Sequence, residues 1–144
     1  MKGHELGKVS AFLVSKLTND PTVAGLVGMR VHRNVRPPDG PLPCIVFQLI
    51  ASPDVQAIGA DQRLFTRPTY LVKAITEGTD DTVGDAIADA IDNALVGQSD
   101  FVGSGGLVTL GVYRTDPIEY VEQVEGVQYN HIGGNYRLFV QRVS

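Results

Sequence analysis

From Glu5 to Thr18 the apolar residues Leu6, Val9, Phe12, Leu13 and Leu17 recur every three or four positions. That spacing lines one side of an α-helix. Asp20-Pro21 then offers a capping oxygen followed by proline at the first helical position, predicting a short helix to Leu26 that Gly28 stops. "RVHRNVR" alternates weakly and predicts a short strand from Arg30 to Val35, before four prolines around Asp39-Gly40 impose a rigid turn segment. "CIVFQLIAS" is rich in β-branched and aromatic residues and predicts a strong strand. "PDVQAIGADQR" reads as a polar connection, and "LFTRPTYLVKAIT" resumes extended structure, with Pro68 pointing to an edge position or a bulge. In "EGTDDTVGDAIADAIDNALVG" Thr79 or Asp80 caps a helix whose apolar face is Val83, Ile87, Ile91, Ala94 and Leu95, and Gly97 ends it. "SDFVGSGG" reads as a loop. Three extended runs close the chain: Leu107–Arg114, Ile118–Val127 and Tyr136–Val143.

Strands in this order do not alternate singly with helices, so a doubly wound parallel sheet is not expected. The pattern predicts an α+β fold: a mostly antiparallel mixed sheet with two main helices packed on one face. A length of 144 residues fits a single domain over 1–144, with no internal repeat and no dividing linker.

Composition narrows the function more than the fold. At 43% hydrophobic and 19% charged, the sequence reads as an ordinary globular protein. Cys44 is the only cysteine, which rules out an internal disulfide and a cysteine-based zinc site. The start, "MKGHELGKVSAFLVSKL", breaks its apolar residues with Glu5, Lys8, Ser10 and Lys16, so neither a secretory signal nor a membrane span is expected. A net charge of −4 and a pI near 5.2 argue against broad capture of nucleic acid.

Candidate chemistry is sparse. Gly133-Gly134 separates two extended runs rather than leading from a strand into a helix, so it predicts a hairpin turn with His131 near its tip, not a phosphate loop. "VGSGGL" lacks the spacing of a nucleotide-binding loop. His4, His32 and His131 have no second ligand at helical or turn spacing, no GxSxG surrounds a serine, and Cys44 lies inside an apolar strand. No catalytic residue, metal or cofactor is therefore assigned. The carboxylates say more: Asp81, Asp85, Asp89 and Asp92 share one stripe of a helix that holds no lysine or arginine. Three uses fit that stripe. It solubilises a face, it meets Arg30, Arg33 and Arg36 within the chain or on a neighbouring subunit, or it holds a cation between two aspartates.

Taken together, "VSAFLVSKLTNDPTVAGLVGMRVH", the proline-flanked "PLPCIVFQLIAS" and "VEGVQYNHIGGNYRLFV" resemble the tail completion (tail terminator) family of long-tailed bacteriophages and prophages. The resemblance spans nearly the whole chain. It implies a structural α+β protein of the virion tail, not an enzyme. Such a protein assembles in the host cytoplasm into a ring, commonly a hexamer, on the head-proximal end of the tail tube. Its partners would be its own copies, the tube protein and the head–tail connector, with DNA passing through unbound and no membrane involved. The long or projecting elements are the expected partner contacts: Asp54, Gln56, Ile58, Asp61 and Arg63 in the Pro53–Arg63 connection, and Tyr129, His131 and Asn135 in the Val127–Asn135 hairpin. Two other readings share this layout. One is a head-side connector or stopper protein. The other is a small ligand-binding or enzymatic domain, which a cluster of His32, His131 and aspartates around a cavity would mark.

Overall fold

The computed structural model describes residues 5–38, 40–51, 54–56, 63–79, 82–97, 100–102 and 107–142. Helix α1 spans Glu5–Thr18, the bounds the apolar spacing predicts, and α2 spans Pro21–Val27, starting where the Asp20 cap predicts and ending one residue beyond Leu26. The Asp20 carboxylate accepts from the Thr22 and Val23 amides at 3.0 Å each, and Gly28 closes α2 with φ 62°. Strands β1 (Val31–Arg33), β2 (Cys44–Ala51), β3 (Asp54–Gln56), β4 (Arg63–Thr66) and β5 (Thr69–Glu77) follow. Then come α3 (Thr82–Leu95), β6 (Asp100–Val102), β7 (Leu107–Val124) and β8 (Val127–Arg142).

The described strands join one sheet. Its main run is β1-β2-β5-β8, with β7 along the other edge of β8; β4 and then β3 continue from the far end of β8, and β6 lies outside β7. Only β1 and β2 are parallel. This is the α+β arrangement expected. Alternation along the strands builds two layers of burial. Ile45 and Phe47 of β2, Tyr70, Val72 and Ala74 of β5, and Tyr136, Leu138 and Val140 of β8 pack against the helices with Leu13, Leu17, Ile87, Ile91 and Leu95. Their neighbours in sequence, Cys44, Val46 and Ile75, form a smaller cluster with Leu42 and Tyr129 on the opposite face.

Several local readings need correction. The C-terminal third is two long strands rather than three runs, and its turn is Glu125-Gly126, with φ of 51° and 81° at the two residues and Val124 registered with Val127. Two positive φ angles make a tight loop whose twist matches a hairpin. Gly133-Gly134 is therefore not a turn. It lies mid-strand in β8, registered with Lys73 and Val72 on one side and with Ile118 and Pro117 on the other. Pro68 marks neither an edge nor a bulge. It sits between β4 and β5, where a missing N–H disrupts no ladder, and its carbonyl accepts from the Leu138 amide at 2.9 Å. Part of the supposed connection is strand β3, and part of the supposed loop "SDFVGSGG" is strand β6; residues 57–62 and 103–106 lie outside the described residues. Helix α3 starts at Thr82, too late for Thr79 to cap it, and Asp80 lies outside the described residues. Val83 is exposed and Gly84 takes its place against the sheet, beside Ile132 and Thr76.

Candidate functional site

The face of the sheet without helices brings together charged and aromatic side chains among the described residues. Lys73 of β5, Tyr120 and Glu122 of β7, and Tyr129 and His131 of β8 are brought side by side by the register, with Ile75 opposite His131 and Tyr120 on its other flank. His131 is buried, with 6% of its surface exposed. Its ring stacks on Tyr120 with centroids 4.4 Å apart and planes within 6°. Lys73 Nζ donates to the Tyr120 hydroxyl at 2.7 Å, and His131 Nε2 lies 3.3 Å from Glu122 Oε1. A carboxylate there can only accept, so Nε2 carries the hydrogen of a neutral imidazole and Nδ1 is left as a buried acceptor without a partner among the described residues. The Arg36 guanidinium stands 5.6 Å above the Tyr129 ring. Arg36, Lys73, Glu122, Val124, Tyr129 and His131 border an open cavity of about 300 Å³.

Burial, and then the Lys73 charge, hold the His131 pKa below its usual value, while the hydrogen bond and charge of Glu122 oppose them. The folded protein therefore resists a proton that the unfolded chain accepts. Stability from this group is whole above about pH 6.5 and falls as pH drops through the lowered folded value. The melting temperature is expected to fall on acidification from about pH 7.5 to about 5.5. His131→Phe, which keeps the ring stack, should flatten that slope. An unchanged slope in the variant would assign it to other groups.

The enzymatic marker does not assemble. His32 is not on the wall of this cavity, and the carboxylate beside His131 is Glu122 rather than an aspartate. Burial raises the Cys44 thiol pKa and keeps it protonated, the state of an inert core cysteine. Among the described residues no group of three His, Cys, Asp or Glu is placed to hold a metal ion, and no helix is long and apolar enough to cross a membrane.

The structure separates the other predicted residues. His131 does not project from a hairpin tip; it is a buried strand residue, Tyr129 is half-buried two residues before it, and Asn135 is half-buried four residues further along the same strand. Asp54, Gln56 and Arg63 fall in β3 and β4, whereas Ile58, Asp61 and Asp81 lie outside the described residues. Among the described residues, the remaining stripe does not meet Arg30, Arg33 or Arg36 of its own chain. Asp92 accepts from the Tyr136 hydroxyl at 3.1 Å and pairs with Arg114 at 3.8 Å. Arg30 Nε donates to the Pro43 carbonyl at 2.7 Å, and Arg36 NH1 donates to the Gly40 carbonyl. Asp85 and Asp89 instead edge a groove of about 470 Å³ between α3 and the β7–β8 hairpin, with Arg114, Ile118, Glu119 and Ile132. Sequence reasoning overlooked Lys73, Tyr120 and Glu122. The signal that could have found them is the alternation of polar and apolar positions in β5 and β7, once β7 is recognised as one continuous strand.

The profile of the family described as tail completion protein gp17 matches residues 11–130. Nine chains of solved structures match the fold. One of them, from the virion of a native gene transfer agent particle, is similar with a TM-score of 0.69 and 22% identity, covering 97% of this chain and 99% of that one. No curated protein sequence matches the chain.

Proposed function

This chain belongs to the tail completion protein gp17 family, a structural component of phage tails, and from that premise we propose that it is the tail terminator. Copies of the chain, each a single domain over 1–144, form a ring, as a hexamer, on the head-proximal end of the tail tube. The ring ends tube polymerisation and presents its other side to the head–tail connector, with DNA passing through the opening. Assembly takes place in the host cytoplasm, and the protein remains in the virion.

The family match carries this reading, and the physical character of the molecule supports it. A ring subunit needs edges and surfaces that fit neighbours rather than a reactive centre. An acidic protein does not grip the phosphates of DNA in transit. The tube and connector contacts are assigned to the Pro53–Arg63 connection, with Asp54, Gln56, Ile58, Asp61 and Arg63, and to the exposed hairpin end with Val121 and Val124.

Electron microscopy of the purified protein mixed with polymerised tail tubes from the same phage or prophage tests the proposal. A ring on one end of each tube, with elongation stopped, is the expected result. Binding to head assemblies while tube ends stay bare would replace the terminator with a connector or stopper.

A further inference from the structure

Charge is divided unevenly along this chain. Residues 1–73 hold nine of the twelve lysines and arginines and five of the sixteen carboxylates, whereas residues 74–136 hold one and eleven. The fold keeps part of that division: Arg33 lies on β1, whereas Asp85 and Asp89 of α3 and Glu119 of β7 edge one groove. Of the described basic residues up to 73, only Arg36 and Lys73 share a cavity wall with an acidic residue of β7, Glu122. Strand β1 is one border of the sheet and β7, which shares a groove with α3, is toward the other.

At the β1 border Arg33 is exposed, bracketed by Met29 and Val35 at 75% and 72% exposure. Arg30 and Arg36 stand close by in sequence, and no carboxylate occurs between residues 21 and 38. At the opposite border, Asp85, Asp89 and Glu119 edge a groove with Ile118 and Ile132 in its wall, and the one cation lining it among the described residues, Arg114, is paired with Asp92. Beyond the short pairing of Leu107–Thr109 with β6, the outer edge of β7 has no strand partner among the described residues. Each border thus offers charge of one sign together with exposed or lining apolar atoms. Within one chain Val35 and Arg36 reach only the end of β7 with Glu122 and Val124, across the helix-free face, and none of Met29, Arg33 and Val35 is on the wall of the Asp85–Asp89–Glu119 groove.

We propose that the two borders are the two halves of one head-to-tail contact between copies of this chain, Arg33 with Met29 and Val35 of one copy entering the Asp85–Asp89–Glu119 groove of the next. Unlike surfaces on opposite sides of a subunit generate a closed ring when the rotation between copies closes. Complementary charge steers the encounter and disfavours like-to-like pairing of borders. The inference rests on the ring reading above and names its interface.

The test uses two full-length variants, each altered at exposed positions of one border: D85R/D89R, basic at both borders, and R33E/V35E, acidic at both. Capping of tail tubes is counted by electron microscopy, with thermal melts confirming that both variants fold. Each variant alone is expected to need at least about tenfold more protein than the wild type to cap tubes, the scale set by losing a close interfacial charge pair. An equimolar mixture is expected to restore capping, because copies can alternate around an even-numbered ring with opposite charges at every contact. Wild-type capping by either variant alone, or a mixture no better than its components, overturns this interface and leaves the terminator reading standing. Failure of the wild type to cap tubes overturns both.

Discussion

Gly133→Ala is expected to be among the most damaging single-methyl changes in this chain, costing on the order of 4 kcal/mol and pushing the denaturation midpoint down sharply. The reason is backbone crowding rather than an unusual φ angle. A Cβ at residue 133 would overlap the carbonyl oxygen of Val72 and stand 2.6 Å from Lys73 Cα. None of these atoms belongs to a side chain that could swing aside, so relief requires β5 and β8 to separate at the centre of a pairing that runs from Thr69↔Arg137 to Glu77↔Tyr129. Neighbouring glycines calibrate the effect. At Gly134 the new methyl would meet Arg114 Cδ at 2.8 Å, which can move, and the Asp116 carbonyl at 2.9 Å, which cannot do so freely. An intermediate loss of about 1–3 kcal/mol is expected there. Gly111 has nothing within 4 Å of the same position, so Gly111→Ala should change stability by no more than about 0.5 kcal/mol. Midpoints from urea titration of the three variants give the comparison directly. Equal midpoints for Gly133→Ala and Gly111→Ala would show that the two strands can part at little cost.

That close approach explains why the glycine pair misled the sequence reading. Adjacent glycines between extended runs serve either a positive φ angle or a lack of space, and the sequence does not distinguish these uses. The actual turn, Glu125-Gly126, hid for the complementary reason. Tight hairpin loops favour asparagine or aspartate at the first position, and a glutamate in the left-handed region gives little signal. Misplacing the turn broke one pair of strands into three runs and moved His131 from a buried stack to an imagined tip. Local, strongly periodic features were legible: the apolar spacing of α1, the Asp20-Pro21 start of α2 and the β-branched run of β2 all appear where their chemistry puts them. Short strands β3 and β6 were not legible, because three residues carry too little periodicity to stand apart from loops. The cluster of Lys73, Tyr120, Glu122 and His131 depends on register between strands 47 and 9 residues apart in sequence, information that no local pattern contains. The family, by contrast, was legible from stretches spread across the chain.

Helix α3 supplies the second large expected effect. Ile91→Ala is expected to cost about 2–5 kcal/mol, whereas Val83→Ala, on the stripe that the sequence assigned to the same apolar face, should cost less than about 0.5 kcal/mol. Ile91 is fully buried among the helix–sheet core, so truncation removes apolar contacts and leaves a void. Val83 is 46% exposed, and Gly84 is the residue that faces the sheet, close enough that a Cβ there would stand 2.7 Å from Ile132 Cδ1. The first turn of the helix thus sits nearer the strands than a valine side chain allows, and this tilts the apolar face from Val83 toward Gly84. The same orientation decides where the aspartates go. Asp92 turns toward Tyr136 and Arg114, where burial and the carboxylate beside it keep the Tyr136 hydroxyl protonated, while Asp85 and Asp89 border the groove. Loosening the seat of α3 should therefore weaken capping as well as folding. Ile91→Val, which removes one methylene, should lose about 0.5–1.5 kcal/mol and keep capping intact. Thermal melts and tube-end counts on Ile91→Ala, Ile91→Val and Val83→Ala separate the two effects: a Val83→Ala protein as unstable as Ile91→Ala would place the apolar face where the sequence alone had put it.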